Sequence, residues 1–192
     1  MRPISWAALV AVICGILGRL GTHEVHAGTV LRLGLADLAE RADVAFEGRV
    51  QSVRVFEPRP GRIETEYVLR EDAVHVGESC PVRIVRLPGG VLPDGRGLAL
   101  AGMPRLAAGE DVLLFLSRES THGTRMPIGL AQGSLRVVTL ENGAKRLVGS
   151  SAGLDFVGAS ATAIPDGPGI DYVAGLAEIT SGIAARASGV KR

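Results

Sequence analysis

The residue pattern closest to catalytic chemistry is Gly149-Ser150-Ser151-Ala152-Gly153, a Gly-x-Ser-x-Gly stretch that follows a predicted strand. In serine hydrolases such a turn presents the serine hydroxyl as a nucleophile, a histidine takes its proton, and a carboxylate orients the histidine. In that fold the histidine follows the serine along the chain. Here His75 and His122 both precede Ser151, and no strong helical pattern opens directly after it. A chain with 26 glycines produces the pattern readily by chance. The expected role of Ser151 is therefore structural, and a serine hydrolase using Ser151 with His75 or His122 brought close in space is the alternative.

Metal chemistry has a weaker basis. His23 and His26 are suggestively spaced but precede Gly28, while His75, Cys80 and His122 have no partner at ligand spacing. No cofactor or metal is expected. Asp94, Asp111, Glu64 and Glu66 read as surface carboxylates on strands or turns, with nothing to mark an acid and base pair. Gln132 stands among apolar residues between Gly129 and Gly133. A buried amide there can read a ligand's backbone or satisfy the carbonyls of its own loop, and the second is expected. Arg105, after Gly102-Met103-Pro104, is placed to reach an acidic partner or to pair with Glu110, and again the second is expected.

These residues belong to a chain whose first 27 positions read as a secretory signal. Arg2 precedes an apolar run from Ala7 to Leu17, too short to span a bilayer, and Val25-His26-Ala27 offers small residues where a signal peptidase reads. The expectation is an exported protein, periplasmic or extracellular, with a mature single domain of 165 residues from Gly28 to Arg192 and no membrane span. With the leader removed, 19 basic and 19 acidic residues balance, and no run of five like charges occurs. That argues against nucleic acid and against a polybasic membrane anchor. Trp6 lies in the leader, and most of the remaining aromatics sit in core-like patterns rather than on a stacking platform. Cys14 also lies in the leader, so Cys80 is expected to be a small, buried strand residue between Ser79 and Pro81.

The elements follow from periodicity. Leu35, Leu38, Ala39 and Ala42 recur at helical spacing, with Asp37 and Glu40 in the opening turns. From Val44 the period becomes two, and the apolar phase shifts after Gln51-Ser52, as a β-bulge requires. Glu57 to Arg62 reads as a turn, with a second strand from Ile63. Further strands are expected at Ala73–Val76, Cys80–Leu87, Leu98–Ala101, Val112–Leu116, Ile128–Val138 and Lys145–Val148, with a hairpin at Asn142-Gly143. Val112 to Leu116 is apolar at every position, so one face should meet a barrel interior and the other a helix. Gly89 to Gly109, with six glycines and two prolines in 21 residues, reads as a long crossing loop. Asp171 can cap a last helix striped by Tyr172, Leu176, Ile179 and Ile183. The expected fold is mainly β: a small antiparallel OB-like barrel of six or seven strands over 43–150, an irregular segment over 151–170, a short N-terminal helix and a C-terminal helix over 171–187.

Several stretches resemble a family of uncharacterised exported bacterial proteins. They are Leu38-Ala39-Glu40-Arg41-Ala42-Asp43-Val44 leading to Gly48-Arg49-Val50; Gly89-Gly90; Gly102-Met103-Pro104-Arg105-Leu106 leading to Gly109-Glu110-Asp111-Val112-Leu113-Leu114-Phe115-Leu116; and Gly129-Leu130-Ala131-Gln132-Gly133. The resemblance implies a secreted single domain with no assigned activity, in a family that occurs beside exported matrixin-type metalloproteases. The expected function is a non-enzymatic binding module with an unidentified protein partner, the loop from Gly89 to Gly109 being its contact surface. One form of that function is inhibition of an exported metalloprotease, with the amine of Gly28 exposed by cleavage and offered to the zinc, as tissue inhibitors of metalloproteinases do. Those inhibitors begin with a disulfide-bonded cysteine, which this chain lacks. A structural component of the cell surface is a further alternative.

Overall fold

The computed structural model describes residues 29–121, 123–150, 154–157 and 168–189 of the 192-residue chain. It opens with a short strand, β1 (Thr29–Leu31), and a helix, α1 (Leu35–Arg41). The Gly34 N–H donates to Asp37 Oδ2 at 3.1 Å, so the expected acidic residue anchors the first turn. Leu35, Leu38 and Ala39 are the buried stripe.

Two strands of unusual length follow, β2 (Val44–Arg59) and β3 (Arg62–Val76). Strands of 16 and 15 residues cannot lie flat, because the intrinsic twist accumulates along them. Register shifts between Val50 and Ser52, at Ala45/Phe46, at Glu47/Gly48 and between Phe56 and Arg59 absorb that twist as bends. The shift beside Gln51 is the one the apolar phase change foretold. The expected turn over Glu57–Arg62 is tighter than read: β2 continues to Arg59, and only Pro60-Gly61 turns the corner.

The chain continues through β4 (Val82–Pro88), β5 (Gly90–Val91), β6 (Gly97–Leu98) and β7 (Asp111–Leu116). A single 3₁₀ turn, Leu130–Gly133, precedes β8 (Ser134–Thr139), which corrects the strand expected from Ile128. Gly129 and Leu130 both have left-handed backbone, which breaks a strand at that point. Then come β9 (Lys145–Val148), β10 (Asp155–Val157), β11 (Ile170–Asp171) and α2 (Tyr172–Ala187). Asp171 caps α2 by accepting from Ala174 N at 3.0 Å. Cys80 is not in a strand: it lies half-buried in the β3–β4 connection, where Pro81 interrupts the ladder. Among the described residues no helix is long and apolar enough to cross a membrane.

Seven strands form one antiparallel sheet in the order β11-β9-β8-β7-β2-β3-β4; β1 pairs with β10, and β5 with β6, in two small separate sheets. The expected closed barrel is not formed among the described residues. Closure would need the free edge of β11 to pair with β4, but β11 has only two residues before the chain turns into α2. The result is a curled open sheet.

Core residues alternate between its two faces. Ala45, Leu113, Phe115, Leu135 and Leu147 point to one side, where Leu35, Leu38 and Ala39 of α1 and Ile179 of α2 cover them. Phe46, Val50, Tyr67, Leu69, Val85, Val112, Leu114 and Leu116 point into the concave side, with Leu106 packed among them. Strand β7 is therefore buried on both faces, as its unbroken apolar run required, and each of its large side chains contributes roughly 1.5–3 kcal/mol by burial.

α2 lies close on α1 through a glycine. A Cβ at Gly182 would come within 2.8 Å of Ala36 Cα. Replacing a mid-helix glycine by alanine normally stabilises a helix by about 1 kcal/mol. Here Gly182→Ala should instead cost about 1–3 kcal/mol through overpacking, seen as a melting temperature several degrees lower. An unchanged or raised melting temperature would show that the helix pair is not held by this contact.

Candidate functional site

The most chemically suggestive cluster is one that sequence reasoning missed. Glu47 shares the strand parity of Ala45 and so faces the helices from within the core. His75 Nε2 lies 2.8 Å from Glu47 Oε1, and the Tyr172 hydroxyl donates to Glu47 Oε2 at 2.7 Å. Lys145 Nζ sits 5.3 Å from the centre of the Tyr172 ring. Burial pushes the Glu47 carboxyl up, but hydrogen bonds from His75 and Tyr172 outweigh it and hold the carboxyl below its ordinary range. Burial, and then the bond to Glu47, push the Tyr172 phenol up to about 12. The readable signal was a charged residue in a buried register of an apolar strand. The cluster has both Glu47 oxygens occupied and sits where α2 begins, so it acts as a latch between helix and sheet.

The rival catalytic assembly is not brought together by what is described. Ser151, His122 and Gly28 lie outside the described residues. Ser150, one residue before Ser151, lines a groove on the concave side, whereas His75 bonds to Glu47 on the helix side. Among the described residues no three His, Cys, Asp or Glu side chains gather as a metal ion would need.

Gln132 does what its loop requires. Its Oε1 accepts from Leu33 N at 2.8 Å, and its Nε2 donates to Leu31 O at 3.1 Å and Gly129 O at 3.2 Å. Every polar atom of the amide is used on backbone, so it ties the N-terminal segment to the 3₁₀ turn rather than facing a ligand. Glu64 and Glu66 are not surface carboxylates: they are 6% and 9% exposed. Glu64 is bonded by Arg62, and Glu66 by Arg54 and Arg86 together. Asp94 and Asp111 are the exposed ones, paired with Arg96 and Arg49.

Arg105 departs from expectation in a way that bears on function. It makes no ion pair among the described residues, because Glu110 Oε2 folds back to accept from Ala107 N at 2.8 Å. Arg105 stands instead on a strap, Gly89–Gly109, that crosses the mouth of the concave face. The strap is fixed at both ends and in the middle. Thr65 Oγ1 donates to Gly89 O at 2.6 Å, Ala131 N to Gly102 O at 2.8 Å, and Gly109 N to Val50 O at 2.8 Å. At Gly90, φ is +134° and a Cβ would press on Thr65 Oγ1 and Val55, so only glycine lets the strap lie this close to β3.

Two hollows flank the strap. One, of about 180 Å³, lies against the inner side of the β2–β3 hairpin, with Val53, Val55 and Tyr67 in its wall. The other, of about 410 Å³, lies against β8 and β9, with Ser134, Arg136 and Val148 in its wall. Leu100, Met103, Pro104 and Arg105 line both, so this short segment is the partition between them. Val91 and Leu100 on the strap are 63% and 40% exposed.

No family model and no curated protein matches this chain.

The latch makes a stability prediction with a defined pH dependence. Tyr172→Phe should cost about 1.5–3 kcal/mol at neutral pH, the range for a hydrogen bond to a charged group. Because the folded Glu47 carboxyl titrates below its unfolded value of 4.5, its stabilisation is complete above that pH and is lost as pH falls through the folded value. Urea midpoints of wild type and variant should therefore differ at pH 7 and converge in acid. A gap that persists undiminished at pH 3 would remove Glu47 from the explanation.

Proposed function

We propose that this chain is an exported, non-enzymatic binding module whose contact surface is the strap from Gly89 to Gly109, and whose partner is another exported protein. The observation that carries the reading is the partition formed by Leu100 to Arg105. A pinned backbone holds, between two hollows, an exposed leucine and an arginine that makes no ion pair among the described residues. Binding surfaces combine an apolar anchor with a few polar groups left unsatisfied in the free protein, and preorganised backbone lowers the cost of association. Export rests on the leader read in residues 1–27. The resemblance to exported bacterial proteins puts a metalloprotease first among partners to be tried. Ser151 as a nucleophile has less support, since His75, the histidine among the described residues that follows the leader, is engaged by Glu47 in the latch on the helix side of the sheet.

The test is a comparison of captured proteins. Immobilised wild-type protein, exposed to the exported fraction of its own cell, should retain at least one protein that Leu100→Asp loses, while both proteins keep the same circular dichroism and melting temperature. Identical capture by the two, or capture of nothing but the chain itself, would remove the strap as a contact surface. Hydrolysis of ester substrates that disappears in Ser151→Ala would establish the enzyme instead.

A further inference from the structure

Resting on the strap as the contact surface, we infer that the larger hollow beside it is a receptor for the free carboxyl terminus of a polypeptide whose last residue is apolar. Ser134 and Arg136 are two residues apart on β8, so their side chains leave the same face of the strand about 7 Å apart. Both line the hollow. Ser134 is 8% exposed, and its hydroxyl has no hydrogen-bond partner among the described residues. The hydroxyl is reached from the hollow rather than sealed in the core, so it can donate to a ligand there. Arg136 is exposed and, like Arg105 opposite it, makes no ion pair among the described residues. Several arginines of the same sheet, Arg49, Arg54, Arg62, Arg83 and Arg86, each have a carboxylate.

The charge of this hollow selects among anions. Arg105 and Arg136 against Glu110 leave one net positive charge, which favours an anion over a cation or a neutral group. A guanidinium receives a carboxylate through two parallel hydrogen bonds, and the Ser134 hydroxyl adds a third donor. Met103 and Leu106 provide an apolar floor beside these donors. A terminal α-carboxylate carries its apolar side chain on the adjoining carbon, so it reaches donors and floor at once. An aspartate or glutamate side chain places its backbone there instead. A fatty acid offers the carboxylate and the apolar tail but no N–H. A peptide can donate one to the Glu110 carboxylate oxygen that is not bonded to Ala107.

The probe is a pool of fluorescein-capped hexapeptides with apolar residues at the last two positions and mixed residues before them, made once as free acids and once as amides. Fluorescence polarisation with the purified protein should show the acid pool bound at least ten-fold more tightly than the amide pool. Arg136→Gln should bring the acids down to the level of the amides and leave the amides unchanged, and Arg136→Lys should restore part of the difference. Ser134→Ala should weaken the acids a few-fold. Circular dichroism and melting temperature of each variant report whether it folds, and the acid-to-amide ratio within one protein is independent of the fraction folded. Equal binding of acids and amides, no binding of either, or displacement of the acids by decanoate at equal concentration would each overturn the inference. If Leu100→Asp loses its captured protein while acids and amides bind alike, the strap stands and the carboxylate receptor falls. If Leu100→Asp captures what wild type captures, the strap reading itself has failed.

Discussion

Strand β7 has no side toward water, and the architecture follows from what it takes to cover both of its faces. Leu113 and Phe115 demand one apolar layer, and Val112, Leu114 and Leu116 demand another. A flat sheet would need a full second layer on each side. The described residues hold two α-helices, and both cover the same face, so the other face is covered by the sheet's own curl and the strap. The bulges in β2 and β3 permit that curl by converting accumulated twist into bends. Without them Tyr67, Leu69 and Val85 would not turn back toward Leu114, and the concave core would open to solvent.

A curled sheet that does not close leaves a mouth, and the strap is the answer to it. Leu106 from the strap joins the concave core, and Gly90 and Gly102 bring the strap's backbone against β3 and against Leu154. Covering the mouth with irregular chain rather than with a paired strand has a chemical consequence. A strand buries its side chains by strict alternation, whereas a strap can leave an arginine and a leucine outward at chosen points without breaking a ladder. The concave face is thereby both a core and the foundation of a surface. Its inner half stabilises, and its rim is free to carry groups that the fold itself does not use.

The division between what was legible and what was not follows the same line. Periodicity revealed α1, α2, the bulge near Gln51 and the two-sided burial of β7, because each depends on residues close in sequence. It did not reveal the open sheet, since closure turns on whether β11 is long enough to reach β4, and that is set by where α2 begins. Glu64 and Glu66 looked solvent-facing because carboxylates usually are. Glu64 is covered by Arg62 of its own strand, and Glu66 by Arg54 and Arg86 of the two neighbouring strands, a cross-strand pairing that is invisible until register is known. Gln132 was readable because a polar amide between glycines in an apolar stretch has few reasons to exist other than satisfying backbone. Glu47 carried a comparable signal in its parity, while its partners His75 and Tyr172 come from 28 and 125 residues away and were beyond local inference.

The 3₁₀ turn after Gly129 connects these layers. Leu130 has φ of +60°, a left-handed backbone that costs a residue with a side chain about 1–2 kcal/mol. The surrounding structure holds it from two directions: Ala131 N bonds the strap at Gly102 O, and Gln132 bonds both Leu31 and Leu33 of the N-terminal segment. Ser134 follows immediately as the first residue of β8. The wall of the larger hollow is thus positioned by a strained turn that is stable only while strap and N-terminal segment are both docked. A rigid wall is what a carboxylate receptor requires, because two hydrogen bonds in parallel tolerate little displacement of the guanidinium. The glycines of the strap divide accordingly: at Gly89, Gly90, Gly97 and Gly102 a Cβ would press on a neighbour, so these four serve close packing, whereas Gly95 and Gly109 face open space with left-handed backbone and serve the turns.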